Sequence, residues 1–460
     1  MAQRNANKAD FTPLPHGQVK PFKVEFETKD LDELRQKLDW VRWGPESLLY
    51  EEEAKKNPGL LPTQELLKSL VEKWKLSNFQ KMQETINKQP NFLVEIDWCK
   101  PLHFIHKKSS RKDAIPLLLI HGWPGSFFEF YFTIDKLCEP ENEQDQAFHV
   151  VIPSLPGYAW SKGPPTKAQG VGDVDGYSRI LDTLMMDVLG YEAYASQGGD
   201  WGSVHARCLG AKFARPDGKT GCRAVHLNFS PIVPQWVWAV KALPEWIVSA
   251  ARERLPGEIG ANVRKLDGFY NSMAYYWIQQ HRPQQLATGL IDSPVGLLSW
   301  LSFFWGLQIG TTPSFSEESM LTICTVYFIT RSIGTSFLPY HTNNFLPSIH
   351  GDSAYKISQA TLGYSDYPKE ITNTSQAWLK GTGNLRFYAK APKGGHFAAL
   401  EVPDIFVNHL RTAFANHDDA KAKALNKDKS RLESLDIHSA HITGSLWPSH
   451  LRSQQGSSRL

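Results

Sequence analysis

Cysteine is scarce and scattered. The 460-residue chain has five (Cys99, Cys138, Cys208, Cys222 and Cys324), an odd number with no CxxC pair. That pattern argues against a disulfide framework and against a structural zinc site. Excess charge is missing too: Lys plus Arg number 50 and Asp plus Glu 47, a formal net charge of +3. Without a basic excess or a basic stripe, nucleic acid is not an expected partner. The longest nearly uncharged apolar run, Val295 to Ile309, has about 15 residues against the roughly 20 a membrane-spanning helix needs, so no transmembrane anchor is expected. Met1 to Lys20 lacks the apolar core of a secretory signal, and the expected setting is reducing and intracellular. No internal repeat is present. What remains is an ordinary folded composition, 41% hydrophobic and 21% charged, rich in aromatics (12%, with 15 Trp). Such a length predicts two or three units around one or two cores.

The pattern along the chain divides it into an N-terminal segment (1–113), a first core part (114–230), a helical insertion (231–347), a second core part (348–415) and a polar C-terminal tail (416–460). In the first segment Leu31, Leu34, Leu38 and Val41 recur near helical spacing, Thr63 to Leu76 predicts a second helix, and Phe92–Ile96 and His103–His106 alternate as strands. This segment is expected to wrap core and cap or to support contacts in a homodimer. Ile115 to Ile120 is continuously apolar, as in a strand buried on both faces of a parallel sheet, and a helix is predicted from Ser126 to Leu137. Strand-like runs recur at Phe148–Ile152, Ala193–Ser196, Ala224–Asn228, Ile357–Gly363 and Leu385–Ala389. Helical stretches lie between several of them, which predicts an α/β fold with a doubly wound, mostly parallel sheet. From Pro231 to Pro347 that rhythm stops. Trp, Leu and Ile recur there at helical spacing, as in Trp236-Val-Trp238 and Leu297 to Phe303, so a helical cap over the sheet is expected. The lysine-bearing stretch from Lys421 reads as solvated helix or coil.

Three loops carry chemistry. Gly198-Gly199-Asp200-Trp201-Gly202 follows a strand and precedes a helix. It has the form of the strained strand–turn–helix elbow, with aspartate in the nucleophile's place. Small residues on either side let the backbone turn without a Cβ clash, and the helix N-terminus favours a carboxylate. His121-Gly122-Trp123-Pro124-Gly125-Ser126 follows the buried strand. In this position a loop supplies one backbone N–H of an oxyanion hole and the residue after the nucleophile supplies the other, here Trp123 and Trp201. His121 reads as a loop-orienting residue rather than a base. Gly394-Gly395-His396 lies beyond the last strand-like run, where the base belongs, and the acid behind it is Asp366 or Glu370. The chain order nucleophile, acid, histidine is that of the α/β-hydrolase fold.

With these motifs and the cap stretches Ile278-Gln-Gln-His-Arg-Pro283 and Asp292-Ser-Pro-Val-Gly-Leu297, the chain resembles the microsomal-type epoxide hydrolases over most of 21–415. The resemblance implies an α/β-hydrolase core with an inserted helical cap and an N-terminal wrapping segment. It places the nucleophile at Asp200, the base at His396, the acid at Glu370 (after Pro368-Lys369) and two cap tyrosines at Tyr275 and Tyr340, with Tyr276 competing for the first. It implies attack of Asp200 on an epoxide carbon, proton donation from the tyrosines to the ring oxygen, and hydrolysis of the ester by water activated at His396. The partners are then a small epoxide and water, and neither cofactor nor metal is called for.

Rival readings are a pathway-specific epoxide-opening enzyme of specialised metabolism, a haloalkane dehalogenase, which would present halide-binding N–H donors, and a catalytically silent scaffold. His103-x-x-His106 reads as structural, because alternation along a strand sends the two rings to opposite faces. Ser458-Arg459-Leu460 resembles a C-terminal peroxisomal tripeptide, so the expected location is cytoplasmic or peroxisomal.

Overall fold

The computed structural model describes residues 11–45, 52, 63–232, 254, 260, 264, 273–306, 315–343, 346–416 and 419–452. Trp236, Trp238 and the terminal Ser458-Arg459-Leu460 lie outside them.

Ten strands form one sheet: β1 (Lys20–Phe22), β2 (Asn91–Ile96), β3 (Cys99–Lys107), β4 (Ile115–Ile120), β5 (Phe148–Pro153), β6 (Ala193–Gly198), β7 (Gly221–Leu227), β8 (Ile357–Asp366), β9 (Gly383–Lys390) and β10 (Ser439–Ile442). Their spatial order is β1-β2-β3-β5-β4-β6-β7-β8-β9-β10. From β5 to β9 every pairing is parallel, and the outer pairings are antiparallel. All six residues of β4 and all seven of β7 are buried, as expected of strands covered on both faces. The register sets Ile120 beside Gly198, Gly198 beside Leu227 and Leu227 beside Tyr364. The C-terminal ends of four parallel strands are therefore level, and the loops that follow them converge. This is the α/β-hydrolase fold with its doubly wound, mostly parallel sheet.

Between β7 and β8 the described residues are helical: Ala274–His281, Pro283–Asp292, Pro294–Gly306, Glu317–Thr330 and Leu338–Thr342. The helices Thr28–Asp39 and Gln64–Lys75 of the N-terminal segment pack on them. Trp74, fully buried, donates its indole N–H to Thr325 Oγ1 at 2.9 Å. Around that core contact Lys37 pairs with Asp292 (2.5 Å), Lys73 with Glu317 (2.7 Å) and Lys81 with Glu318 (3.2 Å). Exposed pairs of this kind are each worth at most about 1 kcal/mol; the buried tryptophan is the stronger tie. Among the described residues no single helix is long and apolar enough to cross a membrane, and all five cysteines are buried and free.

Three expectations need correction. The segment before 113 does more than wrap the core, because β1, β2 and β3 pair into the same sheet as the core strands. The stretch from Ser126 is a 3₁₀ helix, Phe127–Thr133, followed by a short α-helix, Ile134–Cys138. Its three-residue period eclipses Phe127, Phe130 and Thr133 in one buried row, and its crowded aromatics lose side-chain freedom in an α-helix. The polar tail from 416 is part of the core. It forms the helices Asp419–Lys427 and Lys429–Ser434, adds β10 to the sheet edge and buries Leu446, Trp447 and Leu451.

Candidate active site

Asp200 begins the helix Asp200–Lys212 directly after β6. Its backbone sits at φ +46°, a left-handed conformation that is uncommon for a residue with a Cβ. The strain falls on the aspartate itself. The neighbouring glycines are needed for space: a Cβ on Gly198 would lie 2.2 Å from the Gly202 carbonyl oxygen, and one on Gly202 would lie 1.9 Å from that of Ile120. The elbow thus presses its helix against β4 and lifts the Asp200 side chain into the loop that follows β4.

There the Trp123 amide donates to Asp200 Oδ1 at 2.8 Å. Gly122 lies so close that a Cβ there would sit 2.4 Å from the same oxygen. The Trp201 N–H heads the helix Asp200–Lys212, where no carbonyl four residues back lies within the helix to accept it. His121 does not face the chemistry: its Nδ1 bonds the Gly122 carbonyl (3.0 Å), and its Nε2 accepts from the Leu155 amide (3.0 Å). Buried, with its pKa pushed down to about 4, it is a neutral strut for the loop.

His396 Nε2 stands 3.5 Å from Asp200 Oδ2, and its Nδ1 is 2.6 Å from Glu370 Oε1. That carboxylate oxygen also accepts the Ile371 amide at 2.7 Å. The acid and base loops are joined by a bridge between Lys369 and Gly395 and by Lys369 N–H donating to the Gly394 carbonyl at 3.0 Å. Asp366, the other candidate acid, accepts instead from Asn373 and from the Tyr388 hydroxyl. Burial opposes a charged imidazole at His396, but Glu370 and Asp200 outweigh it and raise its pKa well above the ordinary value. Phe229 and Phe397 stand edge-on to the ring at 5.3 and 5.0 Å.

From the cap, the half-buried Tyr275 stacks on the Trp123 indole (6.0 Å, 12°), and Tyr340 stands edge-on to both Trp123 (5.8 Å) and Trp201 (5.1 Å). The Tyr275 and Tyr340 rings are 6.2 Å apart. Burial, with the Asp200 charge acting on both, raises their phenol pKa values well above 10, so each remains an O–H donor. Tyr276 packs on the Tyr340 ring at 4.9 Å, whereas Tyr275 rests on the tryptophan whose amide holds Asp200. The Trp123 indole N–H is committed to Ser336 Oγ at 3.1 Å, and Phe304 lies 4.6 Å from its ring.

The structure therefore brings together Asp200, His396, Glu370, Trp123, Trp201, Tyr275 and Tyr340. His103 (to Ser154 and Asn91) and His106 (to Tyr191) are spent on core hydrogen bonds, and no metal-ligand cluster occurs among the described residues. A surface cavity of about 240 Å³ lined by Arg111, Asp113, Gln146 and Arg452 opens where β4 and β5 begin, at the opposite end of the sheet from Asp200. Sequence reasoning missed Ser336, which fixes Trp123. It also missed Asn228, which fills the space beside Gly199 and takes a 2.7 Å bond from Gln197. A third omission is Glu129, whose only signal was a lone acid inside the aromatic run Phe127 to Phe132.

Comparison with known proteins gives the family and the fold. The family model described as epoxide hydrolase N terminus matches residues 19–130, and that of the alpha/beta hydrolase fold matches 115–247. Epoxide hydrolase 1 of Sus scrofa is 30% identical over 424 residues, covering 85% of this chain and 88% of its own. A Stigmatella aurantiaca relative is 31% identical over 410 residues, 86% and 84% of the two chains. The solved Aspergillus niger epoxide hydrolase superposes with a TM-score of 0.70 at 28% identity, over 89% of this chain and 98% of that one. With a carboxylate at the elbow, an imidazole beside it and relatives matched along nearly their whole length, the chain belongs to the epoxide hydrolase family.

Proposed function

We propose that this epoxide hydrolase works through a covalent ester on Asp200. The observation that carries the reading is the division of labour between the two carboxylate oxygens. Oδ1 is held by the Trp123 amide while Oδ2 faces His396. Oδ2 is then the atom that attacks the epoxide carbon, and Oδ1 becomes the ester carbonyl oxygen, already seated where backbone N–H groups stabilise a tetrahedral oxyanion. Such a donor is typically worth roughly 3–4 kcal/mol.

Protons balance if the resting site pairs the Asp200 carboxylate with an imidazolium at His396. The new C–O bond forms as the ring C–O bond breaks, and the freed oxygen takes a proton from Tyr275 or Tyr340. The phenolate is restored by the imidazolium, which leaves His396 neutral. Loss of the Asp200 charge removes one of the influences that held its proton. His396 then takes a proton from water as the water oxygen adds to the ester carbonyl carbon, and Glu370 stabilises the imidazolium. Collapse breaks the acyl–oxygen bond. The acid proton passes to the departing alkoxide, a vicinal diol leaves, and the resting charges return. The aromatic wall of Phe304, Trp123, Tyr275 and Tyr340 suits an apolar epoxide.

Diol formation from an apolar epoxide tests this reading. Asp200→Ala should abolish it. Tyr275→Phe and Tyr340→Phe should each slow it about tenfold, and the double variant about 10³-fold. Full activity in the double variant would remove the tyrosines from the reaction.

A further inference from the structure

The loop after β4 carries two glycines that each make room for a carboxyl group. A Cβ on Gly122 would sit 2.4 Å from Asp200 Oδ1, and one on Gly125 would sit 2.4 Å from Glu129 Oε2. The first carboxylate is the nucleophile; the second has no part in the chemistry described so far.

Glu129 is held deep in the protein, 7% exposed, in the middle of the 3₁₀ helix Phe127–Thr133. That helix packs against Ala398–Glu401, the turn that begins two residues after His396. The carboxyl group makes no hydrogen bond or ion pair with any described residue. Among its charged neighbours His396 acts on it most strongly, followed by Asp200, Glu401 and Glu370. Of these, Glu401 is occupied by the Phe397 amide at 2.9 Å, and Glu370 by His396 and Ile371. A buried, unpartnered carboxyl beside the base is costly to keep for packing alone.

The hydrolytic step leaves one valence open. A water poised on the alkyl-enzyme aims a lone pair at the ester carbonyl carbon and one O–H at His396 Nε2. Its other O–H needs an acceptor, or the water turns away from the attack line. We propose, building on the covalent reading above, that Glu129 is a further catalytic residue of the hydrolytic half-reaction, its carboxyl oxygen accepting the second O–H of the water that His396 deprotonates. One proton goes to His396, the other stays on the oxygen that joins the Asp200 carbonyl carbon, and Glu129 accepts without being consumed. Burial supports the role, because it pushes the Glu129 pKa up to about 8 and keeps the group neutral while a cation forms nearby. A neutral carboxyl still offers a carbonyl acceptor. Epoxide opening does not involve this water and should not depend on Glu129.

Single-turnover mixing of excess enzyme with trans-stilbene oxide separates the two steps. Tryptophan fluorescence reports ester formation beside Trp123 and Trp201, and quenched-flow intact-mass spectrometry reports ester loss. Glu129→Leu should form the ester within about threefold of the wild-type rate and hydrolyse it at least 30-fold more slowly, so that the alkyl-enzyme accumulates. Glu129→Gln keeps an acceptor oxygen and should recover at least tenfold of that loss. Ester loss at the wild-type rate in Glu129→Leu would overturn the proposal. So would a parallel fall in both steps, or equal defects in the Leu and Gln variants, since these mark a structural role. If neither the wild type nor any variant forms an ester, the covalent reading itself fails.

Discussion

The three carboxyl groups around His396 show how far environment separates like residues. Glu370 is tied to the imidazole and an amide, Asp200 to the Trp123 amide, and Glu129 to nothing among the described residues. The last arrangement has a consequence for stability. Folded Glu129 holds its proton up to about pH 8, against 4.5 for an ordinary glutamate. Between those values the unfolded chain has released a proton that the folded chain retains, so this residue's contribution to stability falls as pH rises. Glu129→Gln lacks that loss. Its stability relative to wild type, read from urea melts, should grow from pH 5 to pH 8 by roughly 1 kcal/mol or more; a gap independent of pH would contradict the assignment. The sequence named Asp200, His396, Trp123 and Trp201 because their spacing from strand ends is a local feature. It could not separate Asp366 from Glu370 on physical grounds. Asp366 ends β8 and Glu370 lies four residues on, and only the joining of the loop after β8 to the histidine loop at Lys369 and Gly395 sets Glu370 against His396.

Among the elements, the elbow tolerates least. The nucleophile helix lies on β4 with no room for a methyl group at Gly202, where a Cβ would meet backbone rather than a side chain that can move. Gly202→Ala should destabilise the protein by at least about 2 kcal/mol and displace Asp200. Gly289 lies within the cap helix Pro283–Asp292, and nothing stands within 4 Å of the place an alanine methyl would take there. Gly289→Ala should therefore stabilise by about 0.5–1 kcal/mol. Thermal melts of the two variants check the contrast, and shifts of the same sign would contradict it. Where the chain leaves the cap, His350 takes a 3.0 Å bond from the fully buried Arg207 of the nucleophile helix and lies 3.2 Å from Ser203 Oγ. The return from cap to core is thus anchored on the elbow's own helix. Element type was legible wherever one period dominated, as in β4 and in Gln64–Lys75 with its Thr63 cap. It failed at Phe127–Thr133, where an aromatic run satisfies more than one period.

For the whole molecule, the N-terminal segment and the C-terminal stretch are both structural parts of one sheet. The alternating strands before residue 113 were readable, but nothing local says that they join the core strands instead of forming their own layer. At the other end, β10 has four residues of which only Ile442 is buried, so a lysine-rich stretch with widely spaced anchors resembles a solvated tail. A chain ended at Asn416 loses β10 together with Leu446, which packs on Gly363, and Trp447. It should give no cooperative melting transition; a normal melt would restore the view of this stretch as an appendage. The central claim is that the carbon of the substrate passes through a bond to Asp200. It is tested most directly by intact-mass spectrometry of His396→Gln mixed with trans-stilbene oxide, followed by peptide mapping. The account predicts a stable adduct of one substrate mass on the peptide containing Asp200, whereas diol released with no adduct on that peptide would contradict it.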